Sequence, residues 1–73
     1  MKVNNIYYVI AQSEKDAYTY LMFHLTSSSS SLAHKYMLDA ISQLEALKGT
    51  SPSYNSYQIY TVVLTVNVER TVI

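Results

Sequence analysis

The sequence predicts an α+β domain, a small antiparallel sheet in the order β-β-α-β with one helix packed on one face. Three observations carry that expectation. Residues 3–12 and 57–68 are rich in β-branched and aromatic residues, which suit a pleated, half-buried surface. Residues 32–48 hold an apolar stripe at helical spacing. The chain is only 73 residues long, which leaves room for one domain, 1–73, and one core.

The first strand is read from VNNIYYVIAQ, residues 3–12, and the polar Ser13-Glu14-Lys15-Asp16 ends it. AYTYLMFHLT, residues 17–26, then alternates, with Leu21, Phe23 and Leu25 on one side and Tyr18, Tyr20, Met22 and His24 on the other. Its Tyr and Thr content favours the second strand of a hairpin. A helix is the competing reading, because Ser13-x-x-Asp16 has the form of a capping box and Ala17, Leu21 and Leu25 lie four apart. The serine run at 27–31 reads as a loop whose last serine caps the next helix.

That helix is marked by Ala33, Met37, Ala40, Leu44 and Leu47, widened by Leu32, Tyr36 and Ile41, with Lys35, Asp39, Ser42, Gln43 and Glu45 opposite. Gly49 stands where a left-handed C-terminal cap is expected, Lys48 suits the negative end of the helix dipole, and Pro52 blocks continuation. From Tyr57 the chain alternates again, Tyr60, Val62, Leu64, Val66 and Val68 against Ile59, Thr61, Val63, Thr65 and Asn67. Residues 69–73 either continue this strand or add a short edge strand.

One helix covers one face of such a sheet. The helix stripe is expected to meet Ile6, Tyr8 and Ile10, then Leu21, Phe23 and Leu25, then Val62, Leu64 and Val66. The face left over holds Tyr7, Tyr18, Tyr20, Met22, His24, Tyr57 and Ile59, with Val9 and Val63 among them, and it has almost no charge: residues 17–34 and 49–68 contain no Asp, Glu, Lys or Arg. A solvated sheet face normally turns to Lys, Glu and Thr. Aromatic and aliphatic residues without Lys or Glu are what interface cores favour, so these seven are the candidate interaction face.

Composition excludes several function classes. Five basic residues balance five acidic ones, so neither phosphate neutralisation nor an acidic imitation of DNA is supported. The tyrosines suggest a stacking platform for RNA, but the strands lack the basic flanks of one. With no Cys there is no disulfide, thiolate metal site or cysteine nucleophile, and one Gly leaves no phosphate-cradling loop. His24 and His34 lie on different elements without a carboxylate set, so no metal is expected. Glu14 and Asp16, with Lys15 between them, read as a solvated turn. No nucleophile elbow accompanies the serines, and neither an enzyme nor a cofactor is expected. The apolar stretch at 6–11 is too short for a signal peptide or a membrane span, so the expected compartment is the cytoplasm.

A Tyr/Val hairpin, a helix opened by serine and a closing strand, Tyr57-Gln58-Ile59-Tyr60-Thr61-Val62-Val63-Leu64, give the chain a pattern that resembles small uncharacterised ββαβ proteins of bacteriophages and mobile elements. That resemblance implies action by binding, as an inhibitor of a host protein or an accessory factor. It transfers no site residue. Without disulfide or metal, a core this small gains most from a partner chain. The function expected is therefore a self-associating protein-interaction module, a homodimer or higher oligomer that also meets a host protein. The alternative is a homo-oligomer that sequesters a small molecule between its subunits.

Overall fold

The computed structural model of the chain describes residues 1–27 and 32–67. Its elements are β1 (Lys2–Ala11), α1 (Glu14–Ser27), β2 (Ala33–His34), α2 (Met37–Thr50), a 3-10 turn (Pro52–Ser56) and β3 (Gln58–Asn67). The fold class is α+β, with three antiparallel strands in one sheet ordered β2-β1-β3. The order of elements differs from the expected β-β-α-β. Residues expected as the second strand form α1, and the second strand is the short β2 further along.

Local chemistry favours α1 from its first turn. The Ser13 hydroxyl oxygen accepts from the Asp16 N–H at 3.2 Å, and the Ser13 carbonyl accepts from the Ala17 N–H at 3.0 Å. This satisfies first-turn donors that a strand would leave to its neighbours. Glu14 and Asp16 sit at the positive end of the helix dipole. Ala17 and Leu21 are then buried, and Tyr20 and His24 are half-buried, a stripe at three- and four-residue spacing that fits a helix on a sheet.

β1 and β3 pair over ten residues, from Lys2 opposite Asn67 to Ala11 opposite Gln58, with no bulge. Directly opposed residues share a sheet face. One face therefore holds Tyr7 with Val62 and Val9 with Tyr60 and Ala33; the other holds Ile6 with Val63, Ile10 with Ile59 and Tyr8 with His34. The expected grouping of Ile6, Tyr8 and Ile10 with Val62 and Leu64 was one residue out of register, and such a slip exchanges faces.

The main core lies between α1 and the first face. Tyr7, Val9, Ala11, Ala17, Leu21, Ala33 and Val62 are buried together there, with Tyr20, Tyr60 and Leu64 packed against them. So of the face expected to stay open, Tyr7 and Val9 are covered by α1, while Ile59 and Val63 lie on the other face. The second face meets α2, where Ile10, Ala40 and Leu44 are buried outside that cluster. Each helix takes one face, which a single-helix layout did not allow.

α2 starts at Met37, five residues later than its apolar stripe suggested, because Ala33 and His34 pair with β1. Tyr36 is its N-cap residue and gives no side-chain cap; the serine expected there, at position 31, lies outside the described residues. The helix also runs past Gly49. The Ser51 N–H donates to the Leu47 carbonyl at 3.2 Å, which closes a helical turn around Gly49, and Ser51 is the extended C-cap. Pro52 sets that end, since a residue before proline is driven out of the helical region. Val68 and residues 69–73, expected as more strand, lie outside the described residues.

Candidate interaction surface

Beyond its first turn, α1 has a buried stripe but no charged face to match it. From Ala17 to Thr26 it contains no charged side chain. Residues pointing away from the sheet include Tyr18, Met22, Phe23 and Leu25, with Phe23 61% and Met22 54% exposed. Successive residues are about 100° apart around a helix. Met22, Thr19 and Thr26 therefore lie opposite the buried stripe, flanked by Tyr18 on one side and Phe23 on the other. These five line a shallow open groove of about 450 Å³.

The two threonine hydroxyls of this groove are already used. Thr19 Oγ1 donates to the Lys15 carbonyl at 3.1 Å, and Thr26 Oγ1 donates to the Met22 carbonyl at 2.8 Å. Such back-bonding turns a Thr hydroxyl inward and leaves its methyl to the surface. The groove is therefore uncharged and largely apolar, with the Tyr18 hydroxyl as its polar tip.

A second exposed apolar patch opens α2, where Tyr36, Met37, Leu38 and Ile41 are exposed. Lys35 and Asp39 are exposed among them, so charge interrupts this patch as it does not interrupt α1.

The seven residues expected to form one interaction face do not meet on one surface. Tyr18 and Met22 lie on the outer face of α1. Tyr7, only 7% exposed, is in the core beneath α1, and its ring meets the edge of His24 with centroids 6.3 Å apart. His24 Nδ1 is buried and has no hydrogen-bond partner among the described residues. Ile59 is half-buried on the opposite sheet face, beside Ile10.

Tyr20 and Tyr57 belong to a tyrosine cluster where β1 ends and β3 begins. The Tyr54 and Tyr57 rings are 5.0 Å apart. Burial above all, then the neighbouring Tyr57 and Asp16, raises the Tyr20 phenol above its ordinary pKa of 10.0. The cluster also ties the chain together. Tyr60 donates its hydroxyl to the Gln12 carbonyl at 3.3 Å while accepting from Gln58, and the Gln12 amide donates to the Ser56 hydroxyl at 2.8 Å. These contacts hold the 3-10 turn against the end of β1, which is a structural task.

Phe23, Thr19 and Thr26 were missed as surface residues. Strand alternation had assigned Phe23 to the core, whereas in a helix it lies well away from Leu21. The charge-free run at 17–26 was the available signal.

Among the described residues, no group of three or more His, Asp or Glu stands together as metal ligands, and no helix is long and apolar enough to cross a membrane. No known protein family, curated protein or solved structure matches the chain.

Proposed function

We propose that this protein is a small, self-associating interaction module that acts by binding, with the outer face of α1 as its recognition surface for an apolar patch on another protein. The observation that carries the reading is the uncharged groove of Tyr18, Thr19, Met22, Phe23 and Thr26. A helix with large apolar side chains on opposite sides normally has both sides covered. Here the sheet covers one side, so the other is left for a partner. Aromatic and Met side chains are enriched at interface cores, where Lys and Glu are scarce.

The same geometry speaks against the alternative, a small-molecule site. Such sites are concave and enclose most of their ligand. A groove lined by neighbouring residues of one helix encloses little, but it accepts a ridge of side chains from a second helix or a flat apolar surface.

The test is site-specific photo-cross-linking in cells of the native host, with the cross-linker at position 22 and a control at position 45 on α2. The expected result is one discrete protein adduct from position 22, absent at 45 and lost when Phe23→Glu is added. Identical adducts from both positions, or an adduct indifferent to Phe23→Glu, would overturn the assignment of this face.

A further inference from the structure

We infer that two copies of the chain join along β3, edge to edge and antiparallel, with Val63 on the twofold axis. The inference deepens the self-association proposed above and rests on it. β3 is an outer strand of the sheet, and its ten residues contain no charge, Pro or Gly. Its pairing with β1 has no bulge. Natural sheets protect long edges with charges, prolines, bulges or a covering element, since an open edge is a template for another strand. Among the described residues none of these devices appears on β3.

The hydrogen bonds that β3 offers can be assigned. The Ile10 N–H donates to the Leu32 carbonyl at 2.8 Å, so Ile10 directs its backbone groups away from β3. Ile10 opposes Ile59, and in an antiparallel pair both members of such a position point outward. Alternation then sends the N–H and C=O of Ile59, Thr61, Val63, Thr65 and Asn67 to the open edge.

Val63 is the middle of those five. Among the described residues, a twofold axis through it satisfies the whole set, about ten backbone hydrogen bonds, whereas any other centre leaves some of these groups unpaired.

The side chains suit the same register, and this argues for a second copy over an unrelated strand. A twofold perpendicular to the sheet preserves its faces, so each β3 meets itself without a mismatch. Val63, 52% exposed, meets Val63 of the second copy, and each Thr61 meets a Thr65. On the α1 face, Tyr60 meets Val66, and Val62 meets Leu64. Val–Val, Thr–Thr and aromatic–β-branched pairs are favourable across antiparallel strands. The chain has no net charge to keep two copies apart.

Pairing also supports the weakest part of the fold. β2 reaches only Tyr8 and Val9, so beyond them β1 and β3 form a two-stranded ribbon with Ile6, Val63 and Val66 exposed. A two-stranded ribbon alone is marginal in water.

The experiment combines light scattering with amide hydrogen exchange on the full chain, from about 5 to about 500 μM, a range wide enough for mass action to show. The expected mass rises to twice 8.3 kDa. Over the same range, exchange at Thr61, Val63 and Thr65 is expected to slow by about tenfold or more. A synthetic chain with N-methylvaline at 63 loses only an outward N–H, so it should fold yet stay monomeric; Val63→Lys, at an exposed position, should do the same by charge repulsion. A dimer with fast-exchanging β3 amides, unaffected by either change, overturns the edge assignment and leaves self-association standing. A monomer at every concentration overturns both, and open-ended aggregation in place of a dimer overturns the twofold.

Discussion

Replacing Gly49 with Ala discriminates between two conformations of the end of α2. A left-handed Gly cap is expected from sequence, yet the Ser51 N–H to Leu47 carbonyl bond at 3.2 Å encloses Gly49 in a helical turn. A methyl group built on Gly49 would meet nothing within 4 Å. In a helix interior Gly is less favourable than Ala by about 0.8–1.0 kcal/mol. Gly49 is next to last in α2, where fraying takes part of that gain, so about 0.5–1 kcal/mol of stabilisation is expected. For a domain of this size that is a rise in Tm of about 2–8 °C. The assay is thermal unfolding by circular dichroism, with both proteins at one concentration so that any effect of mass action on Tm is shared. A fall of several degrees would refute the reasoning, since Ala is strained at positive φ and would be destabilising only if Gly49 were left-handed.

Ser13→Ala removes the side-chain acceptor of the Asp16 N–H and is expected to cost about 1 kcal/mol, read as a lower urea midpoint with an unchanged slope. An unchanged midpoint would mean that the cap contributes nothing to α1. The raised Tyr20 pKa makes a claim about alkaline stability. The fold favours the neutral phenol, so this contribution is complete below the unfolded value of about 10 and is lost as pH rises from there through the folded value. Denaturant titrations from about pH 8 to 11 should show stability falling above pH 10, and less steeply in Tyr20→Phe. Equal slopes for the two proteins would contradict the claim.

The strands β1 and β3 and most of α2 were legible because each carries one periodicity, whereas the pairing of β1 with β3 was not. The α1 segment was ambiguous for a physical reason. A helix against a sheet usually declares itself by contrast between an apolar stripe and a charged back, and here Tyr18, Met22, Phe23 and Leu25 fill the back. With no contrast at period 3.6, the alternation of Tyr, Leu and Phe looked equally regular at period 2. The Ser13 cap carried the right answer in a single residue.

β2 was hidden because two residues are too few for a pattern, and Ala33 also fits the α2 stripe. The candidate surface was half legible. The absence of charge over residues 17–34 drew attention to the stretch that forms the α1 groove, and Tyr18 and Met22 are two of its residues, but Phe23 needed the helix to bring it outside.

The two threonines of the α1 groove set a limit on selectivity. With both threonine hydroxyls turned back onto carbonyls of their own helix, the Tyr18 phenol is left as the side-chain group of the groove that a partner can hydrogen-bond. A surface that recognises by hydrogen bonds rejects a wrong partner strongly, because its polar groups are then stranded. One that recognises by apolar shape separates partners differing by a methylene by only about 1–3 kcal/mol. Under the proposed function, α1 would separate related apolar surfaces mainly by shape, at about 1–3 kcal/mol per methylene, with the Tyr18 hydroxyl adding a polar point of contact.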